Sequence, residues 1–165
     1  MTTNVAKILV PIDFSSHARV ALDAAALLAT RLGSSIEVLH VVDDPVRSGA
    51  WSPDIFVTDF HDILQDLLDH ARARVNRFIA HLPAGVIAKA EVVSGQPAQT
   101  IVERAGTGAF DLIVMGTHGR TGLSHLLLGS VAERVIRTSP CAVLTVKDGV
   151  RHEPPHAVHL ASVVV

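Results

Sequence analysis

The chain has one thiol, Cys141. A lone cysteine excludes an intrachain disulfide and any zinc site built from several cysteines. Net charge is nearly absent too, with 14 Lys+Arg against 16 Asp+Glu, a formal −2. Nucleic-acid-binding domains are usually basic with clustered Lys and Arg, so this balance argues against a nucleic-acid partner. No apolar run approaches the roughly 18 residues of a membrane span. Residues 1–7 lack a charged region followed by a long apolar stretch, so no secretory leader is expected. The expectation is a cytoplasmic protein with no membrane partner. Lysine is missing between Lys89 and Lys147, which excludes a Walker A loop there. The first strand-turn-helix connection, Pro11-Ile12-Asp13-Phe14-Ser15, holds no glycine, which excludes a Rossmann fingerprint in its usual place. No internal repeat or low-complexity segment is visible.

What is present is an alternation of apolar runs. At 165 residues and 48% hydrophobic content, the chain suits one domain with a real core. Residues 7–12 read as a short buried strand. Ser15 or Ser16 can cap a helix over 18–32, which Gly33 ends. Residues 36–42 read as a second strand. A long helix opens at Thr58 or Asp59, and Phe60, Ile63, Leu64, Leu67, Leu68, Ala71, Val75, Phe78, Ile79 and Leu82 mark one buried face. Residues 86–93 alternate more and are more polar, as at a sheet edge. Pro97 starts a helix to about residue 105. Residues 112–115 and 142–146 read as strands four and five. Between them, Ser130 and Glu133 have the S-x-x-E spacing of a capping box, opening a helix there. Such β-α alternation predicts a single doubly wound domain, a five-stranded parallel sheet with helices on both faces; the strand order expected for it is 3-2-1-4-5. Cys141 enters an apolar strand and reads as buried and inert.

The most informative stretch runs from Gly116 to Ser130. Gly116 and Gly119 are three apart, and nine residues then separate Gly119 from Gly129-Ser130. It follows the fourth strand and precedes a helix. Glycines let a backbone approach an anion and expose its N–H groups, and a helix N-terminus adds further donors. Strand, glycine loop, helix start is a phosphate cradle. In open sheets, ligands bind beyond the carboxyl ends of the strands where the order reverses. Asp13 and Gly116 each end a central strand, so both would face one crevice.

Three segments together resemble the universal stress protein family. They are Ile8-Leu9-Val10-Pro11-Ile12-Asp13-Phe14-Ser15, the G-x-x-G-x(9)-G-S loop, and Ser139-Pro140-Cys141-Ala142-Val143-Leu144-Thr145-Val146. The resemblance covers residues 5–147, within an expected domain of residues 1–147, and leaves 148–165 as a tail of unassigned role. Since every glycine of the loop and the serine after it are kept, the chain is similar to the ATP-binding members. The resemblance implies that Pro11 and Asp13 line an adenosine pocket and that Asp13 bonds the nucleoside. It implies that Val41 meets the adenine through its backbone. Gly116, Gly119, Gly129 and Ser130 would hold ribose and phosphates, with Mg (or Mn) bridging phosphate oxygens. It also implies a homodimer through the last strand, and an unknown protein partner remains open.

Bland alternatives stand beside these roles. Asp13 also fits a plain helix cap or turn residue. A phospho-acceptor role for it lacks the neighbouring acidic residue and late lysine that a response regulator supplies, and the first loop is not that of a flavodoxin. Arg120 is the better phosphate partner in the loop because it stays charged and binds two oxygens; a solvent-exposed arginine is its alternative. His118 and His125 read as incidental, and the tail histidines as ordinary. No catalytic triad or paired carboxylates emerge from spacing. The functional reading is an ATP-binding regulatory module of the stress response. Its rivals are a slow ATPase or nucleotidyl-type enzyme and an ATP-free scaffold.

Overall fold

The computed structural model describes residues 5–43, 57–83, 86, 88–118 and 128–147. The elements alternate as β1 (Lys7–Pro11), α1 (Ser16–Leu32), β2 (Ser35–Asp43), α2 (Val57–Ile79), β3 (Ala88–Gly95), α3 (Pro97–Thr107), β4 (Leu112–Gly116), α4 (Ser130–Thr138) and β5 (Ala142–Val146). All pairings are parallel, and the sheet order is β3-β2-β1-β4-β5. That is the expected order, and β3 lies at an edge as its polarity indicated. The tail after residue 147 lies outside the described residues.

Side-chain parity on β1 explains the layers. Ile8 and Val10 join a cluster with Ala21, Leu22, Ala25 and Ala29 of α1 and Val75 of α2. Leu9 points the other way, into a cluster with Ile101 and Ala105 of α3, Phe110, and Ala132 and Val135 of α4. A parallel strand covered on both faces must be apolar at consecutive positions. Each fully buried Ile, Leu or Val adds about 1.5–3 kcal/mol over its exposed state. α1 is held at both ends. The Ser15 hydroxyl accepts from Ala18 N at 3.1 Å, and Gly33 closes the helix at φ 69°, a backbone conformation that glycine adopts without a Cβ clash.

Three expectations are corrected. Ser130 is not a helix cap: Gly129 takes the extended cap conformation, with no side-chain cap bond, and Ser130 is the first helical residue. The Glu133 N–H bonds the Gly129 carbonyl at 2.9 Å as the first helical bond, and no capping box forms, because the glycine has no side chain to cap with. On α2 the buried stripe is Leu68, Ala71 and Val75, whereas Ile63 is 51% and Leu67 46% exposed. Leu67 sits one position off that stripe. Cys141 is only partly buried, because it precedes an edge strand that one neighbour alone covers.

A candidate nucleotide crevice

The site begins where the two central strands part. β1 and β4 pair only at Ile8↔Leu112 and Leu9↔Ile113. The ladder stops short of Pro11, which has no N–H to donate. β1 and β2 stay in register to Pro11↔Leu39, and Ile12 N donates to the Leu39 carbonyl at 2.9 Å. Residues two apart on a strand direct their backbone groups to the same side. Val41 therefore directs its N–H and carbonyl toward the β1 side, at a level β1 no longer reaches. An adenine edge carries both an acceptor and a donor, which one such residue can answer.

Backbone bonds draw the two ends of the glycine loop together. Thr117 N donates to the Val146 carbonyl at 3.1 Å, and Gly129 N donates to the Thr117 carbonyl at 2.9 Å. Gly116–His118 thus sit beside Gly129 and Ser130, at the start of α4, whose first N–H groups have no partner within the helix. Gly119 and Arg120 lie outside the described residues. Gly116 has a second reason to be glycine. A Cβ there would stand 2.8 Å from His17 Cβ and 3.0 Å from its carbonyl carbon, so the first turn of α1 presses directly on it.

Asp13 follows β1. Its Oδ1 accepts from Ser15 N at 3.0 Å and from the Ser15 hydroxyl at 2.6 Å. The helix cap is Ser15, and Asp13 orients it. Between them Phe14 stands at φ 67°, a left-handed conformation that is an outlier for a bulky side chain. Its ring lies 4.4 Å from the His40 ring and 5.6 Å from Phe78, centroid to centroid. The His40 Nδ1 bonds the Ile12 carbonyl at 2.8 Å.

These groups surround one cavity of about 570 Å³, within the size range of small-molecule sites. Pro11 and Asp13 form its floor, and Gly116, Gly129 and Ser130 one end. One wall, made by Leu39, Val41, Pro97, Ile101, Met115 and Ala132, is apolar. The opposite wall comes from Phe14 and from α2 through Leu67, His70, Ala71 and Arg74. So Pro11, Asp13, Val41, Gly116, Gly129 and Ser130, expected from the sequence, all line the same cavity. Arg74, His70 and Phe14 were missed. Their signal was faint: positions 67, 70, 71 and 74 follow helical spacing, but two of the four are polar. His118 also lines the cavity; its Nδ1 meets the Thr117 hydroxyl at 2.9 Å and its ring lies 5.3 Å from His17. Its Nε2 is enclosed without a hydrogen-bond partner among the described residues.

The comparisons agree with this architecture. The universal stress protein family model matches residues 4–147. The chain belongs to the universal stress protein family. Universal stress protein MJ0531 of Methanocaldococcus jannaschii is 36% identical, covering 86% of this chain and 81% of that protein. Universal stress protein MJ0577 of the same organism is 33% identical over 89% of this chain and 98% of its own length. The solved structure of MJ0577 superposes with a TM-score of 0.76, covering 87% of this universal stress protein and 96% of that chain. A universal stress protein crystallised in complex with cAMP shares the fold, with a TM-score of 0.57 and 23% identity over 87% of this chain and 97% of that one. Among the described residues of this universal stress protein, no helix is long and apolar enough to cross a membrane.

Proposed function

We propose that this universal stress protein binds an adenine nucleotide, ATP with Mg (or Mn), and acts as a nucleotide-dependent regulatory module. One observation carries the reading: Asp13, the backbone of Val41 and both ends of the glycine loop meet around a single cavity with one apolar wall. The base would lie against Leu39, Val41, Ile101 and Met115, the nucleoside near Asp13, and the phosphates at Gly116, Gly129 and Ser130. Gly119 and Arg120 are proposed for the same phosphate end. The cAMP complex belongs to a distant relative and supports the fold; the support for nucleotide binding is this chain's own cavity. Among the described residues, no three His, Cys, Asp or Glu come together to hold a metal. A divalent ion would therefore ride on the phosphate oxygens and keep several waters, as Mg²⁺ commonly does.

Phosphoryl transfer needs charge stabilisation and an oriented nucleophile. The cavity lining holds no lysine, so tight binding with slow turnover at most is the expectation. The β5 edge offers the proposed homodimer surface. Leu144 there is 40% exposed, and an unpaired edge invites a second strand.

The test is purification without added nucleotide, then denaturation and mass spectrometry of what is released. ATP or ADP in near-stoichiometric amount is the expected result. Nucleotide-free protein that fails to bind ATP in a calorimetric titration would leave the scaffold reading. Measured turnover separates a binding module from an ATPase.

A further inference from the structure

Four of the described arginines are committed. Arg72 pairs with Asp69, Arg104 with Glu37 and Glu91, and Arg137 with Glu133. Arg19 donates to the Phe78 carbonyl. Arg74 differs. Its guanidinium carbon lies 4.1 Å from the centroid of the Phe14 ring, it lines the cavity, and among the described residues it makes no ion pair or hydrogen bond. A guanidinium has five donors and is always charged. One held at a cavity wall without an anion is fitted to receive one.

Phe14 is the second observation. A bulky residue in the left-handed region costs of order 1–3 kcal/mol and persists only where its surroundings over-determine it. Here the ring is fixed by His40, Phe78 and Arg74. The same backbone turn carries Asp13 and the cap of α1. The strained turn thus presents an aromatic platform at the cavity, and the cation rests on that platform rather than on a carboxylate. Stacking over the ring orients the guanidinium while leaving its N–H donors unspent.

We propose that Arg74 supplies a positive charge from α2, in addition to that of Arg120 in the lysine-free glycine loop, and that it meets an anionic phosphate of the bound nucleotide. This rests on the nucleotide reading above and specifies it: the ligand is a nucleoside phosphate rather than a nucleoside, and α2 is its second wall. Phe14 positions Arg74, and Arg74 makes the contact.

Calorimetric titrations of adenosine, AMP and ATP into nucleotide-stripped wild type, Arg74→Gln and Arg74→Lys test this. Thermal melts confirm that the variants are folded. A charge-assisted bond at a solvent-facing wall predicts about a ten-fold loss of ATP affinity in Arg74→Gln. Adenosine affinity should stay within about two-fold, since no charge meets it. Arg74→Lys should recover part of the loss. The ATP affinity of the wild type should also fall more steeply with added salt than that of Arg74→Gln. Equal losses for adenosine and ATP would overturn the proposal and reduce Arg74 to packing on Phe14. An unchanged ATP affinity would overturn it as well, leaving a solvated arginine. Wild type that binds none of the three would instead overturn the nucleotide reading, and this one with it.

Discussion

The two ends of the sheet are built differently. At the amino end of the strands, polar groups are matched. Asp111 Oδ2 accepts from Ala6 N and Lys7 N at 2.8 and 2.9 Å. Those two backbone bonds, opposed by slight desolvation and helped by the Lys7 charge, hold the Asp111 carboxyl below its ordinary range. The Ser34 hydroxyl donates to the Val5 carbonyl. Glu37, only 8% exposed, is gripped by Arg104 through bonds of 2.6 and 2.8 Å. At the carboxyl end the molecule leaves things open. Strands β1 and β4 separate, Phe14 is strained, α4 starts with no side-chain cap bond among the described residues, and Arg74 rests on a ring. Stability is concentrated where nothing binds, and unsatisfied capacity where something can. Natural sequences depart from local consistency mainly at functional sites.

The sharpest way to break this comparison is at Glu37. Burial alone would raise its carboxyl, but hydrogen bonds and charge from Arg104, with Lys89 behind them, outweigh burial and hold it below its ordinary range. Glu37→Gln removes the buried one of the two anions that Arg104 pairs with, leaving Glu91, and should cost about 1–3 kcal/mol, read by urea unfolding. A depressed folded-state value means the contribution is fully present above the unfolded value and is lost as pH falls through the folded one. Stability of the wild type should therefore drop on acidification below the usual Glu range, and the variant should show a flatter profile. ATP affinity in the variant should change by less than about two-fold at neutral pH, the level expected of a site not touched. A large affinity loss would mean the two ends are coupled through α3.

Gly116→Ala acts at the other end. The new methyl meets His17 Cβ and backbone, and neither can swing away. Overpacking of that kind costs about 1–3 kcal/mol. Unlike Glu37→Gln, it should weaken ATP binding in step, because α1 carries Ser15 and, through it, the orientation of Asp13. Unfolding and titration of the same preparation check both halves.

The fold was legible because its signals are local and repeated. Apolar strands alternate with Ala- and Leu-rich helices, and Gly33, Pro97 and Ser15 punctuate them. Pro11, Asp13, Gly116 and Gly129 stood out because β1 and β4 each end in a residue type that a regular strand does not need. Phe14 did not stand out, since nothing in a sequence marks an aromatic for the left-handed region. Arg74 was hidden by distance along the chain: only the folded sheet brings α2 to the same cavity as Asp13 and Gly116. Ser130 shows the limit of spacing arguments. S-x-x-E was present, but Gly129 took the cap and moved the pattern into the helix.

Ser15→Ala is a smaller break. It removes a helix cap and the hydroxyl that bonds Asp13, and should cost about 1 kcal/mol. Its ATP affinity should fall as well, because Asp13 keeps the backbone N–H bond at position 15 but loses the shorter bond from the hydroxyl. A variant that loses stability and keeps full affinity would show that Asp13 is placed by its own turn alone.

The smallest stability effect is expected at Ser130, and it separates cap from ligand contact. A capping serine replaced by alanine would cost about 0.5–2 kcal/mol. Ser130 is the first residue inside the helix, makes no cap bond, and lines the cavity. Alanine is at home at such a position, so Ser130→Ala should shift unfolding free energy by less than about 0.5 kcal/mol. What it removes is one hydroxyl beside the first N–H groups of α4. If phosphate lies there, ATP affinity should drop by about three- to ten-fold, with adenosine unaffected. A melt that moves by several degrees with unchanged ATP affinity would return Ser130 to a structural role and take the phosphate end of the cavity away from α4.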